Sequence, residues 1–363
     1  MDDEVSEFEA GSAAAHDAHD LFARMPKAEL HLHLDGSLRP ATTLELARER
    51  GLDAGLSLED MAARLQAPAQ VTDQAQLLEA FDLPIAIMQD VESISRITHE
   101  LVLDVASDGT RYAEIRWAPA LHVMGGLSLG DSIQAVVDGM RSGVGATGVH
   151  VRLIAVALRS HPPETSVAVA EEAARFVGDG LTGFDLAGQE AAFPDPLLHA
   201  AAYGIARSAG LGITIHAGEW GGAAQVWRAL SVDPWRIAHG SRTADDPVLM
   251  TELAYRNVTL DLCPTSNVQA SIYPSLANFP LDTLAGAGVP VTLSTDDRTV
   301  SDLTLIKEYD NAHDVMGMSV PELWAINMHA LRVAFLHDDE SLRAALIDEF
   351  EAFAASEPAL TPR

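Results

Sequence analysis

Cysteine and long apolar runs are nearly absent from this sequence. The 363 residues include one cysteine, Cys263, so no intrachain disulfide can form and nothing indicates an oxidising compartment. No apolar run reaches membrane-spanning length, and the N-terminus has no signal-peptide pattern. These absences predict a cytoplasmic protein.

Basic residues are also scarce. Lysine and arginine number 23 against 53 aspartates and glutamates, which gives a formal net charge of −30. So acidic a surface repels phosphate backbones and anionic lipids, so we expect neither nucleic acid nor a membrane as partner. The acidity indicates high solubility, whether or not the protein is adapted to salt. It does not identify a substrate or an oligomeric state.

The hydrophobic content, 48%, is sufficient for a large core. The length fits one α/β barrel as well as two smaller domains. Residues 1–20 are acidic and rich in alanine, which predicts a disordered arm, and residues 21–363 are then one domain.

Short apolar runs typical of strands alternate with helical patterns along that domain. This alternation implies βαβ units and a parallel sheet, and eight units predict an α/β fold, a single (β/α)8 TIM barrel. An open doubly wound sheet is the alternative, but no G-x-G-x-x-G follows the first strand. The predicted strands are residues 29–34, 111–117, 150–157, 183–186, 212–216, 236–239, 258–262 and 289–294.

Two regions of the chain are additional to the eight strand–helix units of a simple barrel. About residues 40–110 separate the first two strands and show helical periodicity over 77–88 and 91–107, which predicts a helical cap inserted near the barrel mouth. After the eighth strand, further helices are predicted at residues 302–311, 320–336 and 340–355.

The first predicted strand contains the motif HLHLDG, in which polar residues occupy every second position. Side chains two apart share one face of a strand, so His31, His33 and Asp35 point the same way. A helix would spread them around its axis. The spacing therefore favours a strand that aims these groups into the barrel.

Other predicted strands also end in ionisable residues. His216 and Glu219 close the fifth strand, His239 closes the sixth, and Asp296 and Asp297 follow the eighth. The carboxyl ends of barrel strands meet at one mouth, where barrel enzymes work. Burial of so many ionisable groups is unfavourable unless they bind a metal or each other, so their joint placement predicts a functional site.

Imidazoles with a carboxylate and no thiolate suit Zn²⁺, with iron, cobalt or manganese as alternatives. The natural ligands for one ion per chain are His31, His33, His216 and Asp296.

Seven segments, in this order between about residues 25 and 300, carry a resemblance to a known family. The chain resembles the adenosine deaminase family, the barrel-type metal-dependent purine deaminases. The combination of HLHLDG, HAGE and TDD is highly specific. The segments are PKAELHLHLDGSL, DGTRYAEIRWAP, GFDLAGQE, HAGE, RIAHG, LCPTSN and STDD.

The resemblance implies a hydrolytic deamination in which a zinc-activated water attacks the purine carbon that carries the amino group. Glu219 would protonate the ring nitrogen N1, and His239 would stabilise the attacking oxygen. The same four ligands would hold the zinc. The substrate-binding residues would be His33 beside the metal, Asp35 on a sugar hydroxyl, Gly188 with its N–H on N3, and Asp297 on N7.

Asp35 favours a substrate with a sugar, so adenosine and 2′-deoxyadenosine are expected, giving inosine and 2′-deoxyinosine plus ammonia. Relatives act instead on adenine, aminodeoxyfutalosine or N6-substituted nucleotides. Arg298, Trp220 and the LCPTSN segment depart from the best-known nucleoside enzymes, and none is expected to touch a proposed metal ligand.

Three rival interpretations remain to be compared. A two-metal amide or phosphoester hydrolase often needs a bridging lysine, but the only lysines are Lys27 and Lys307. The deaminase architecture with a P-C-x-x-C zinc site requires more than one cysteine. A non-catalytic purine-binding barrel predicts a gap at Glu219 or at a ligand, and no gap is present.

Two weaker interpretations concern other residues. Glu114 and Arg116 in the second strand are interpreted as a structural pair inside the barrel. Apolar side chains of the inserted helix are interpreted as core residues, with ligand-pocket lining as the alternative; they are Phe81, Leu83, Ile85 and Met88.

Overall fold

The computed structural model describes residues 17–360. Of the predicted arm, residues 1–16 lie outside the described residues, whereas residues 17–20 belong to a helix over 17–24. Ala18, Leu21 and Phe22 on this helix are buried. Residues 17–20 of the predicted arm are therefore part of a helix that packs against the domain, because its apolar side chains are buried in the core.

Eight parallel strands form one sheet in chain order, as predicted. Each observed strand overlaps its predicted range, with ends that differ by no more than three residues. The strands are β1 (Lys27–His33), β2 (Thr110–Trp117), β3 (His150–Leu158), β4 (Leu181–Ala187), β5 (Gly212–Ala217), β6 (Arg236–His239), β7 (Thr259–Leu262) and β8 (Val291–Leu293).

The sheet closes between β8 and β1. The N–H of His33 donates to the carbonyl of Asp296 at 2.7 Å, and the N–H of Asp296 donates to the carbonyl of His31 at 3.1 Å. A parallel bridge between Leu32 and Asp296 completes the ring. The predicted (β/α)8 barrel is confirmed, and its closing bonds involve the residues predicted to bind metal.

Helices surround the barrel, and many begin at side-chain caps such as Ser57 and Ser319, each part of a capping box. The α-helices are Pro40–Glu49, Leu58–Leu65, Gln74–Leu78, Asp82–Ile87, Val91–Ser107, Leu129–Thr147, Pro163–Ala174, Ala200–Ser208, Ala223–Ala229, Pro247–Arg256, Pro264–Gln269, Leu281–Gly286, Leu305–Asp314, Val320–Val333 and Glu340–Ser356. Among residues 17–360, no helix is both long and apolar enough to cross a membrane.

The connection from β1 to β2 holds five α-helices, where a helical insertion is predicted. The helix predicted over 77–88 is broken: a 3-10 turn, Glu79–Phe81, separates two short helices. Pro84 explains the interruption, since it lacks an N–H and its ring crowds the carbonyl four residues earlier. The helix predicted over 91–107 is observed with the same bounds and begins at the Asp90 cap.

The barrel interior contains a buried ion network. Glu114 and Arg116 do not pair with each other, so that interpretation is wrong. Arg116 lies 2.9 Å from Asp185, whereas Glu114 accepts a hydrogen bond from Arg236, which also donates to Asp261 at 3.0 Å. Both side chains project from one strand to the same face, and each reaches an oppositely charged group on another strand instead.

Candidate metal and active site

Four predicted ligands meet at the carboxyl end of the barrel. One ligand atom from each of His31, His33, His216 and Asp296 lies within 4.8 Å of the others. Nε2 of His31 is 3.0 Å from Oδ1 of Asp296, and Nε2 of His33 is 3.2 Å from Nε2 of His216. Strands β1 and β5 and the end of β8 thus deliver their polar groups to one point.

The protonation states of this cluster suit a cation. Burial lowers the pKa of His33 to about 3 and lowers that of His31 well below its ordinary value. Burial raises the pKa of Asp296, but its electrostatic interactions with the His31 and His239 imidazoles outweigh this effect and hold that pKa well below its ordinary value. Neutral imidazoles and an ionised carboxylate are the forms that bind metal.

The donor set fits a divalent transition-metal ion. Oδ1 of Asp296 is buried; within residues 17–360 its near neighbours are Nε2 of His31, at 3.0 Å, and Nε2 of His33, at 3.4 Å, and neither makes an aligned hydrogen bond to it. Three imidazole nitrogens and one carboxylate oxygen form the ligand set of many zinc centres. A cation at this point would give Oδ1 the partner that it lacks.

His216 is oriented by a carboxylate that the sequence analysis missed. Oδ2 of Asp185, on β4, lies 2.8 Å from Nδ1 of His216 and 2.9 Å from Nη1 of Arg116. Burial raises the pKa of Asp185, but His216 and Arg116 reverse this effect and keep the group ionised. The available signal was a lone aspartate within the apolar strand GFDLA.

Two site residues have left-handed backbone conformations that favour glycine. Asp296 has φ of 65° and His239 has φ of 62°. Such residues persist only where surrounding contacts fix them, and they cluster at functional sites. For Asp296, the two hydrogen bonds to the β1 backbone supply that fixation.

A second group of polar side chains lies beside the four predicted metal ligands and consists of Glu219, His239 and Asn267. Nδ2 of Asn267 donates to Oε1 of Glu219 at 3.0 Å and lies 3.2 Å from Nδ1 of His239. An amide nitrogen only donates, so Nδ1 of His239 accepts and its Nε2 carries the hydrogen. That Nε2 lies 3.8 Å from Oδ2 of Asp296. Burial lowers the pKa of His239 to about 3, so the ring is neutral.

The LCPTSN segment contacts a predicted ligand, contrary to expectation. Oγ of Ser266 donates to Oδ2 of Asp296 at 2.7 Å. The segment continues from β7 into the helix Pro264–Gln269, which carries both Ser266 and Asn267 into the site. Arg298 does not contact a ligand: it donates to Glu29 and Asp108, each at 2.6 Å.

The cluster opens into a cavity of about 140 Å³ that also receives Asp35, Gly188, Glu219 and Asp297. No arginine or lysine lines this cavity among the described residues. Apolar side chains from the inserted helices and neighbouring loops form much of its wall; they are Leu77, Leu78, Phe81, Ile85, Leu121, Leu158 and Trp220.

The inserted-helix residues separate into two groups. Phe81 and Ile85 line the cavity, whereas Leu83 and Met88 are buried in the main core. Both interpretations of the apolar stripe are therefore partly correct, because Phe81 and Ile85, four residues apart, share a face of the chain that Leu83 does not.

Burial raises the pKa of three carboxyls that face the cavity. Burial, followed by the charges of Glu190 and Asp296, raises the pKa of Glu219 well above its ordinary value. Burial and the charges of Asp296 and Asp35 do the same for Asp297, and burial raises the pKa of Asp35 to about 6. Oδ1 of Asp35 and Oδ1 of Asp297 are buried and have no hydrogen-bond partner in residues 17–360. Protonated Glu219 and Asp297 can donate to a ligand, whereas Asp35 can accept from one when it is ionised.

Two glycines bring backbone close to the site. Gly188, just after β4, has φ of +103° and lines the cavity. A Cβ added to Gly36 would lie 1.8 Å from Oδ1 of Asp297, so only glycine leaves room for that carboxyl.

Comparison with known proteins agrees with the site. The family profile "Adenosine deaminase" matches residues 26–352. The chain is 36% identical over 342 residues to the adenosine deaminase of Mycobacteroides abscessus, covering 89% of this chain and 93% of that protein. It is 34% identical over 317 residues to that of Clostridium acetobutylicum, covering 87% and 94%.

Solved structures share the whole barrel. The adenine deaminase of Arthrobacter aurescens superposes with a TM-score of 0.82 at 27% identity, covering 91% of this chain and 99% of that chain. A zinc-bound amidohydrolase from Burkholderia ambifaria gives 0.83 at 26%, covering 94% of each. The N6-methyl-AMP deaminase of Arabidopsis thaliana gives 0.82 at 27%, covering 93% and 100%. The chain belongs to the adenosine deaminase family of metal-dependent hydrolytic deaminases.

Proposed function

We propose that this chain deaminates adenosine and 2′-deoxyadenosine to inosine and 2′-deoxyinosine with release of ammonia. The observation that carries the proposal is the position of Glu219: its carboxyl favours the protonated form, and it shares one cavity with the four-ligand cluster. A proton donor beside a cation site is what hydrolytic removal of an amino group from a purine requires.

The metal in this proposal is one Zn²⁺ per chain, held by His31, His33, His216 and Asp296. A bound divalent ion lowers the pKa of water from 15.7 to about 7, which corresponds to roughly 12 kcal/mol. The zinc-bound relative and the donor set support this choice of ion.

The surrounding residues handle the protons. Glu219 donates its proton to N1 of the purine, so that the carbon bearing the amino group can accept the water oxygen. His239 is neutral, and its Nε2–H, close to Asp296, stabilises the developing negative charge on that oxygen. The two protons of the water re-protonate Glu219 and complete the ammonia. Ammonia is then the leaving group, and the product carries a carbonyl in its place.

Four groups orient the substrate in this proposal. Protonated Asp297 donates to N7, the N–H of Gly188 donates to N3, and Asp35 bonds a sugar hydroxyl. His33, part of the metal cluster, also lines the cavity against the purine. The hydrogen-bonding atoms of Asp35 and Asp297 that lack protein partners support this assignment, because a ligand would satisfy them.

The cavity lining favours a nucleoside over a nucleotide. A 5′-phosphate is normally met by arginine, lysine or a helix N-terminus, and no cationic side chain lines this cavity among residues 17–360. Asp35, with a pKa raised to about 6 by burial, would instead repel a phosphate when ionised. Adenine, the substrate named for one structural relative, and aminodeoxyfutalosine are the second candidates.

The rest of the proposal concerns the whole chain. The described residues, 17–360, form one deaminase domain with a helical cap, and the helix over 17–24 is part of it. The partner is a small purine in the cytoplasm; nucleic acid and membranes are not partners, since the net charge is −30.

One panel of assays tests the proposal. Wild-type protein of measured metal content is assayed for amine release from adenosine, 2′-deoxyadenosine, adenine, aminodeoxyfutalosine and N6-methyl-AMP. We expect kcat/KM for the two nucleosides to exceed the other values by at least about tenfold. A preference for adenine or for a nucleotide would contradict the assigned role of Asp35.

The variant Glu219→Gln separates chemistry from metal binding. It keeps the shape of the side chain but cannot deliver a carboxyl proton, so kcat should fall about 10²- to 10⁴-fold with metal content unchanged. Wild-type turnover in this variant would remove Glu219 from the mechanism.

A further inference from the structure

Two buried charged residues, Glu190 and Arg159, form hydrogen bonds to the backbone of the loop between His216 and Glu219. Oε2 of Glu190 accepts the N–H of Gly218 at 3.0 Å, and its Oε1 accepts the N–H of Glu219 at 3.1 Å. Nη2 of Arg159 donates to the carbonyl of His216 at 2.9 Å. Two side chains thus bind three polar groups of the loop backbone within four residues.

These two residues come from neighbouring strand ends. Arg159 follows β3, Glu190 follows β4 and the loop follows β5. Glu190 is 1% exposed and Arg159 is 3% exposed. A buried charge is retained only where it is paired or hydrogen-bonded, and here the partners are backbone groups of the loop and an opposite charge nearby. Arg159 also donates to the carbonyl of Phe193 at 3.2 Å, so three of the four side-chain hydrogen bonds of this pair go to the loop.

The loop itself leaves little tolerance for movement. Gly218 has φ of +82°, and a Cβ at that position would lie 2.4 Å from Val226 and 3.0 Å from Cα of Gly240. Three peptide bonds separate the predicted metal ligand His216 from Glu219. A rotation of the peptide before Glu219 would swing its carboxyl away from Asn267 and out of the cavity.

We propose that Glu190, with Arg159 as its counterpart, is a positioning residue that fixes the loop backbone so that His216 and Glu219 face the same cavity. The inference rests on the proposed role of Glu219 as proton donor. The charge of Glu190 also contributes to the raised pKa of Glu219, second only to burial. Glu190 therefore acts on the acid through the backbone and through its field, without touching the substrate.

The test is Glu190→Gln, whose amide keeps one acceptor oxygen and presents an N–H₂ group to the other backbone N–H. The matched control is Glu171→Gln, an exposed position on the outer helix Pro163–Ala174. Both variants are measured for kcat and KM with adenosine, for metal content, and for hydrogen–deuterium exchange of the peptide containing Gly218 and Glu219.

We expect Glu190→Gln to lower kcat about 10- to 100-fold, with KM and metal content within about twofold of wild type. Amide exchange at Gly218 and Glu219 should become faster, and the control should match wild type in every readout. A purely structural role would lower the amount of folded protein and leave kcat per folded molecule unchanged.

The outcomes distinguish this inference from the proposed function. If wild-type protein releases no ammonia from any purine, the function fails, and faster exchange in the variant still supports the clamp on the loop. If wild-type protein is active but Glu190→Gln keeps its kcat or its slow exchange, the positioning role is overturned. If Glu190→Gln does not fold, Glu190→Asp, which keeps the charge and shortens the side chain by one methylene, is measured with the same expectations.

Discussion

Oδ2 of Asp185 lies 2.8 Å from Nδ1 of His216, and this contact leaves Nε2 of the imidazole to face the other predicted metal ligands. We expect Asp185→Asn to weaken metal affinity about 10- to 100-fold, because the partner of a metal-bound histidine sets both its tautomer and its basicity. Metal affinity is measured by competition with a chelator of known strength. Asp348→Asn, on an exposed face of the helix Glu340–Ser356, is the control. Equal affinities in the two variants would contradict the role of Asp185.

Gly36 leaves the space that Asp297 occupies. In Gly36→Ala, the new Cβ would meet Oδ1 of Asp297 at 1.8 Å, so the carboxyl must move away from the purine. We expect KM for adenosine to rise at least about tenfold while metal content stays constant. Gly204→Ala is the matched control, since nothing lies within 4 Å of its added Cβ and its helical site tolerates alanine. Unchanged KM in Gly36→Ala would place Asp297 outside the substrate site.

Arg298 ties the β8 loop to Glu29 on the first strand and to Asp108 at the end of the helix Val91–Ser107. Its removal in Arg298→Ala leaves two buried carboxylates without their cation, so we expect a loss of about 3–5 kcal/mol in the free energy of unfolding. Arg298→Lys keeps the charge but not the forked geometry, so its loss should be smaller. Urea unfolding of the two variants measures the difference. Equal stability of Arg298→Ala and wild type would contradict the pairing.

Glu308 makes folding stability depend on pH. Burial raises its pKa from 4.5 to about 7, so the folded protein holds a proton that the unfolded chain has released between those values. This contribution is complete below the unfolded pKa and is lost as pH rises through the folded pKa. We expect Glu308→Gln to flatten the decrease in the free energy of unfolding between about pH 5 and pH 8. An identical slope in wild type and variant would contradict the shift.

The same residue links stability to the site. Glu308 accepts from the N–H of Thr265 at 2.8 Å and from its hydroxyl, at the start of the helix that carries Ser266 and Asn267. Activity of Glu308→Gln therefore reports whether that helix keeps its place.

The barrel and the grouping of the four predicted metal ligands could both be predicted from the sequence, because both depend on regular spacing. Alternating apolar runs locate strands, and polar residues at their carboxyl ends meet wherever a parallel barrel closes. His31 and His33 share a face for the same reason of periodicity. The observed distances among the four predicted ligands agree with this reasoning.

The partners of those residues could not be predicted in the same way. Asp185, Ser266 and Asn267 act through side-chain contacts whose partners lie far away in the chain. Glu190 contacts only backbone groups, so no side-chain pattern marks it. The supposed pair of Glu114 and Arg116 failed because proximity on one strand does not reveal which opposite charge from another strand is nearer.

Metal removal tests the central claim most directly. Wild-type protein is stripped with a chelator, its residual metal is measured, and Zn²⁺ is added back in steps while ammonia release from adenosine is followed. We expect the stripped protein to be inactive and activity to rise linearly to a plateau at one equivalent per chain, with His216→Ala neither retaining metal nor recovering. Full activity of the metal-free protein, or recovery in His216→Ala, would contradict the account.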